Sequence, residues 1–518
     1  MSELKRVIVE IQSPAKKQQL VPGMSVQAAA PIPSIPGLKL DVDFKPVPIV
    51  SAEQPAAGMA FAALNEDEEN TSEFYTNTYI VRGTLDAGAD PKAVADQLKK
   101  SQPNVVGVYS DVAIQPMLIC PGSAPLGTDT DVEHLLNVHD LARRHMNGHG
   151  VTVAIVDTGI NLAYLRSRGK TPRFSAAKSW VPSPGLEPGN LPVDHGTMCA
   201  FDVCIAAPKC TLIDIALLQS TAPGGTVMEG FLSDAVRAYR HLLDLMLAPR
   251  RPGENHSLVV NNSWGMFNPS WDYPVGDPGN YSDNLNHPFN RIVTALERAG
   301  ADILFAAGNC GADCADGRCD GVVDRAIYGA NSHPRVLSIA GVDVTKQRVG
   351  YSSIGPGRLV RRKPDLCGFT HFEGSGVYAA DGGTSAATPV VTGLVAALRS
   401  RLPFRRGLTQ SSPARVRNLL RKTAEDVGGH GYDFKHGYGI ANGTAVARVV
   451  PIAEPVAAAA ALARPTAAGA HCAECGSPLR APAASRPAAE PVTTAPDNNG
   501  HSHTDVKRPS VEPLQTPS

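Results

Sequence analysis

Residues 151–160 read VTVAIVDTGI. The run from Val151 to Val156 is β-branched or apolar almost throughout, which predicts a strand buried on both faces, as inner strands of a parallel sheet are. Asp157 follows directly and so sits at the strand's C-terminal end, where open α/β sheets place their sites. Gly159 lets the chain turn sharply there. Working outward, ADILFAAGN (301–309) is a second apolar strand, preceded by the helical stretch NRIVTALERAG. TVMEGFLSDAVRAYRHLLDLML (226–247) has amphipathic helical spacing, with Thr226 and Glu229 at capping-box distance. DVEHLLNVHDLARRHMNGHG (131–150) reads as a lead-in helix before the first core strand. Strand and helix alternate, which predicts an α/β fold: a doubly wound parallel sheet with helices on both faces.

Four side chains in this frame carry reactive chemistry. A serine hydroxyl is a poor nucleophile at neutral pH; it needs an imidazole to take its proton and a carboxylate to orient that imidazole. Ser385 lies in DGGTSAATP, His195 in VDHGTMCA and Asp157 in the stretch above. Asn309, in LFAAGNCG, offers a side-chain amide of the kind that stabilises an oxyanion. Each has an ordinary alternative: turn former for Asp157 and Asn309, helix-start residue for His195, N-cap for Ser385. Gly382 and Gly383 clear side chains where substrate and backbone must approach. The segment after Ser385 predicts a helix, with Pro389 in its first turn and Val390, Val391, Leu394, Val395 and Leu398 as a core stripe. An α/β-hydrolase nucleophile elbow would need a glycine where Ala387 stands, and a different chain order.

The order Asp, His, Ser, with the glycines around each motif, resembles the subtilisin-like serine proteases, or subtilases. The resemblance implies a serine endopeptidase working through an acyl-enzyme, with Asp157, His195 and Ser385 as catalytic triad. Asn309 would then donate to the oxyanion beside the Ser385 N–H. VVNNSWG matches the family's substrate-lining segment, making Ser263, Trp264 and Gly265 substrate-binding residues; Ala307 and Gly308 match its pocket wall. SWG also fits a strand end with a core tryptophan. Met198 and Phe201 depart from the family's histidine and glycine, which predicts, with Trp264, an individually shaped cleft. Some subtilases carry a cysteine at the position of Cys199, beneath the histidine.

Composition divides the chain further. Residues 1–70 hold one strand-like stretch, LKRVIVEI, and then a Pro- and Ala-rich run read as linker. Residues 71–118 read strand, helix, strand: NTYIVRGTL, DPKAVADQLKK with an Asp cap, and NVVGVYSDVAIQPML. This resembles the inhibitory propeptide of subtilases, a small α+β module that leaves its tail in the cleft. A docking fragment of the same composition is the alternative. The expectation is self-cleavage between Ile114 and Gly127. Residues 129–450 form the expected catalytic domain, and residues 451–518 an Ala/Pro-rich disordered tail.

A net charge of −1 over 518 residues gives no footprint for nucleic acid or an anionic membrane. No stretch approaches the ~20 apolar residues of a membrane span. MSELKRVIVEIQSP is not an ordinary secretory signal, which points to the cytoplasm, with secretion by another route as the alternative. The expected partners are a protein or peptide substrate and the chain's own N-terminal module. Ten cysteines do not make a disulfide-dense scaffold at this length. Cys310, Cys314 and Cys319 crowd behind Asn309 with three outcomes open: a local disulfide, a metal site, or inert thiols. His471, Cys472, Cys475, His501 and His503 lack the second matched pair of a zinc motif. No cofactor or metal is expected in the chemistry, and the resemblance allows structural calcium without requiring it. Two other functions share these residues: a peptide ligase or cyclase using the same acyl-enzyme, and an inactive binding scaffold.

Overall fold

The computed structural model describes residues 5–13, 18–25, 37–50, 74–86, 88–117, 123–221, 228–249 and 255–450. Thr226, the cysteines and histidines of 451–518, and residues 118–122 of the expected cleavage window lie outside them.

The N-terminal module is a sheet backed by a helix. Its strands are β1 (Arg6–Gln12), β2 (Leu38–Leu40), β3 (Val47–Ile49), β4 (Thr78–Leu85) and β5 (Val105–Ser110), with helix α1 (Pro91–Ser101) capped by Asp90. The path runs β2-β4-β1-β5, with β3 also paired to β4. This corrects the boundary at residue 71, because β1, drawn from the supposed linker, pairs antiparallel with both β4 and β5. Its alternation explains the placement. Val7, Val9 and Ile11 pack with α1, while Ile8 and Glu10 face the rest of the protein. NVVGVYSDVAIQPML is also two strands, not one. After β5 the chain leaves the sheet, and β6 (Ala113–Pro116) joins a different one.

Beyond the module stands a seven-stranded parallel sheet. In chain order its strands are β7 (Thr152–Val156), β8 (Arg173–Phe174), β9 (Thr211–Ile215), β11 (Leu258–Asn262), β13 (Asp302–Ala306), β14 (Leu337–Val342) and β15 (Leu366–Phe369). Across the sheet the order is β8-β9-β7-β11-β13-β14-β15. Two very short strands, β10 (Gly230–Phe231) and β12 (Trp264–Gly265), stand apart and pair with β6. Helices α2 (His195–Ala206) and α5 (Gly383–Arg399) share one core with Val153 and Ile155 of β7; α3 (Leu232–Leu247) and α4 (Pro288–Arg298) share another with Ala154 and Val156. Successive residues of one strand thus feed opposite faces, which is why β7 has no polar side to read.

Three local expectations change. The lead-in splits into Asp129–Leu135 and Val138–Arg143 at Asn137, whose φ is 55°. The helix expected from residue 226 begins at Leu232, because Gly230 and Phe231 are spent as strand β10. Pro389 lies inside α5 rather than in its first turn.

Candidate active site

Asp157 directly follows β7 and is wholly buried. Its Oδ1 lies 2.8 Å from His195 Nδ1 and accepts the Thr158 N–H at 2.7 Å. His195 opens α2, with Asp194 as N-cap accepting the His195 N–H. A carboxylate at Nδ1 fixes the proton there and leaves Nε2 as the accepting nitrogen. His195 Nε2 is buried and makes no hydrogen bond among the described residues.

Ser385 is in the first turn of α5. Its Oγ donates to the Met117 carbonyl oxygen at 2.7 Å and lies 3.1 Å from the Ser263 carbonyl. A carbonyl carbon sits about 1.23 Å from its oxygen, so the Met117 carbon is within about 4 Å of Oγ. Asn309 Nδ2 donates to the same Met117 oxygen at 2.9 Å. Its Oδ1 accepts both the N–H and the hydroxyl of Thr384, each at 2.9 Å, which fixes which way the amide faces. Thr384 Oγ1 also accepts the Gly308 N–H at 3.1 Å, tying the Asn309 turn to the start of α5. Gly383, at φ +70°, is where a side chain is excluded: a Cβ would run into the Met117 oxygen and lie 2.9 Å from Asn309 Nδ2.

The chain's own segment fills the cleft. β6 lies antiparallel between β10 and β12, pairing Ile114 with Gly230, Gln115 with Gly265 and Pro116 with Trp264. The Met117 N–H then donates to the Ser263 carbonyl at 3.0 Å. Ser263 and Gly265 therefore meet this segment through the backbone, and a Cβ at Gly265 would press on Met117 Cε at 2.5 Å. Ala307 and Gly308 are tied to Ile339, Thr384 and Ser353 and support Asn309 from behind. Trp264 contributes backbone only; its ring is fully buried against Phe289 and Phe305. Met198 and Phe201 are likewise core residues of α2, buried all round, so the expectation that these three side chains shape the cleft is corrected.

Below the imidazole, Cys199 Sγ lies 3.7 Å from Asp157 Oδ2 and 3.8 Å from His195 Nδ1. Burial, then the Asp157 charge, pushes its thiol well above the usual range, so it stays protonated. Burial likewise raises Asp214 to about 7, although its Oδ2 accepts the Gly189 and Ile160 N–H groups that shape the turn after Asp157. Asp202, further along α2, is pushed well up by burial and by Asp381, which leads into the Ser385 turn.

Cys310 and Cys319 form a disulfide, and Cys314 is disulfide-bonded as well, so of the three outcomes open for this cluster the metal site and the inert thiols are excluded. The bond closes the loop that starts at Asn309, whose carbonyl accepts the Asp316 N–H. Among the described residues, the group of His, Cys, Asp or Glu close enough to share an ion is Asp157, His195 and Cys199. A thiol and an imidazole do not suit calcium, which takes oxygen ligands, so no calcium site is assigned. No helix among the described residues is long and apolar enough to cross a membrane. Sequence reasoning passed over Met117, Thr384 and Arg318, of which only Thr384, set between Gly383 and Ser385, carried a local signal; Glu229 was read as a helix cap and instead meets Gln115.

The model of the subtilase family matches residues 148–439. The chain is 26% identical to Subtilisin NAT of Bacillus subtilis subsp. natto over 295 residues, 55% of this chain and 63% of that protein. It is 26% identical to M-protease of Shouchella clausii over 299 residues, 55% of this chain and 62% of that protein. Subtilisin Savinase of Lederbergia lenta is similar at 26% over 299 residues, 55% of this chain and 87% of that protein. The chain thus spans less than two thirds of the first two relatives' length.

Proposed function

We propose, since the chain belongs to the subtilase family, that it is a serine endopeptidase made as a self-processing zymogen. Ser385 Oγ attacks the carbonyl carbon of the residue before the scissile bond, and its proton passes to His195 Nε2. Asp157 stabilises the imidazolium through Nδ1. Asn309 Nδ2 donates to the oxyanion. The imidazolium then protonates the leaving amine, and water, deprotonated by His195, hydrolyses the acyl-enzyme. No cofactor enters these steps, and the substrates are proteins or peptides.

One observation carries the reading: Asn309 Nδ2 and Ser385 Oγ converge on the Met117 carbonyl oxygen while the Met117 N–H is held by Ser263. It supports Met117–Leu118 as the bond cut in self-processing, inside the expected window. The Cys310–Cys319 disulfide favours an oxidising compartment over the cytoplasm inferred from the N-terminal sequence. Intact-mass analysis and fluorophosphonate labelling of wild type and Ser385→Ala test the proposal. Wild type should label and be cut after Met117, and the variant should do neither. Equal labelling of both forms refutes the nucleophile, and two uncut chains refute the processing.

A further inference from the structure

Two charged side chains grip the third residue upstream of the proposed scissile bond. Gln115 Oε1 accepts from Arg318 Nη1 at 3.1 Å, and Gln115 Nε2 donates to Glu229 Oε2 at 2.9 Å. Each half of the carboxamide thus meets the partner it needs: a donor for its oxygen, an acceptor for its NH₂.

The Arg318 side of the grip is held by contacts that do not involve the cleft strand. Arg318 Nε and Nη2 are both taken by Asp316, at 3.0 and 2.8 Å, and the guanidinium lies 3.6 Å over the Phe267 ring. Its remaining edge points Nη1 at the cleft strand. Arg318 also sits in the short helical turn Gly317–Cys319, which the Cys310–Cys319 disulfide anchors next to Asn309. Glu229 stands opposite, immediately before strand β10, which pairs with Ala113 and Ile114, the two residues before Gln115. Backbone pairing of Gln115 with Gly265 fixes the height at which its side chain enters.

We propose that Arg318 and Glu229 are specificity-determining residues that select a carboxamide, glutamine or asparagine, three residues upstream of the cleaved bond. This rests on the protease reading above. The logic is double exclusion. A carboxylate there would satisfy Arg318 and oppose Glu229, an ammonium would satisfy Glu229 and oppose Arg318, and an alkyl side chain would leave both unused. A neutral group with both a donor and an acceptor is the one that both accept.

The test uses the whole protein as made, whose own cleft strand, cut or uncut after Met117, is the ligand held by β10 and β12. The rate of fluorophosphonate labelling of Ser385 reports how tightly that strand covers the site. Residue 115 is kept as Gln or changed by Gln115→Glu or Gln115→Lys, each in wild type, Arg318→Met and Glu229→Gln backgrounds. In wild type the native Gln115 should label slowest, with both variants about tenfold faster, the worth of one charge-assisted hydrogen bond. The order should cross in the other backgrounds. Gln115→Lys becomes slowest when Arg318 is lost, and Gln115→Glu becomes slowest when Glu229 is neutralised. One order of rates in all three backgrounds would overturn the clamp. Equal labelling of wild type and Ser385→Ala would instead overturn the protease reading on which it stands.

Discussion

Asn309→Ala should separate the chemistry from the scaffold. The amide sits 2.9 Å from the carbonyl oxygen that would become the oxyanion. Removing one such donor costs about 2.7–4 kcal/mol of transition-state stabilisation, or about 10²–10³ in kcat. KM should move little, because the backbone bond to Ser263 remains. Thr384 acts through Asn309: its hydroxyl and N–H hold the amide oxygen, while its Oγ1 accepts from Gly308. Thr384→Val deletes one of the two bonds orienting the amide and should cost about tenfold in kcat, the worth of one hydrogen bond. A positioning residue has nothing left to position once the amide is gone. The double variant should therefore be no slower than Asn309→Ala alone. Steady-state hydrolysis of one quenched peptide by all four proteins decides the matter. A kcat for Asn309→Ala within tenfold of wild type, or multiplying losses in the double variant, would refute the reasoning.

The buried Glu10–Arg291 pair, with bonds of 2.8 and 3.0 Å, fastens β1 of the module to α4. Glu10→Ala leaves a buried guanidinium unpaired, a cost of about 3–5 kcal/mol. It should speed Ser385 labelling of the full chain by about two orders of magnitude or more; Glu10→Ala with Arg291→Met should recover much of the loss, and a wild-type rate for Glu10→Ala would exclude this role. Asp214 predicts a pH dependence of stability. Its folded pKa, raised by burial to about 7 from 3.8, means the native state binds the extra proton between those values. Stability is then fully present below about pH 4 and is lost as pH rises through about 7, by at most about 4 kcal/mol. Asp214→Asn keeps an acceptor for the Gly189 and Ile160 N–H groups and should flatten that slope. Thermal unfolding from pH 4 to 8 checks it, and parallel curves for the two proteins would count against it.

What the sequence made legible followed from the range of the forces involved. β7 could be read because burial on both faces leaves a mark in five adjacent residues. RVIVEIQ could be read as a strand too, but its partners lie in residues 78–85 and 105–110, and no local pattern names a partner that far along the chain. Thr226 and Glu229 have capping-box spacing, yet the backbone at Gly230 and Phe231 gains a strand partner and Glu229 gains Gln115, so the tertiary contacts override the local signal. Trp264 was ambiguous for a physical reason: its backbone edges the cleft while its ring fills the core, and both readings describe part of one residue. The Cys310–Cys319 pairing was open because spacing alone does not bring two Cα atoms to 5.7 Å; the turn around Asp316 does.

The displaced proline shows how tightly the proposed nucleophile is bound to the segment that holds the chain's own cleft strand. In a regular helix the N–H of residue 389 would bond the carbonyl of Ser385, four residues earlier. Pro389 has no N–H, so that carbonyl is released, and a buried carbonyl without a donor is costly. Ser263 Oγ supplies the donor at 2.9 Å, and the Cys199 thiol lies 3.8 Å from the same oxygen. The Ser263 carbonyl, meanwhile, holds the Met117 N–H. One residue therefore grips the peptide with its backbone and the nucleophile's backbone with its side chain. A shift of the segment around Ser263 pulls on both Ser385 and the cleft strand, so register along the cleft and reach of the hydroxyl are set together. Pro389, read from sequence as merely tolerated, is the residue that makes this coupling necessary.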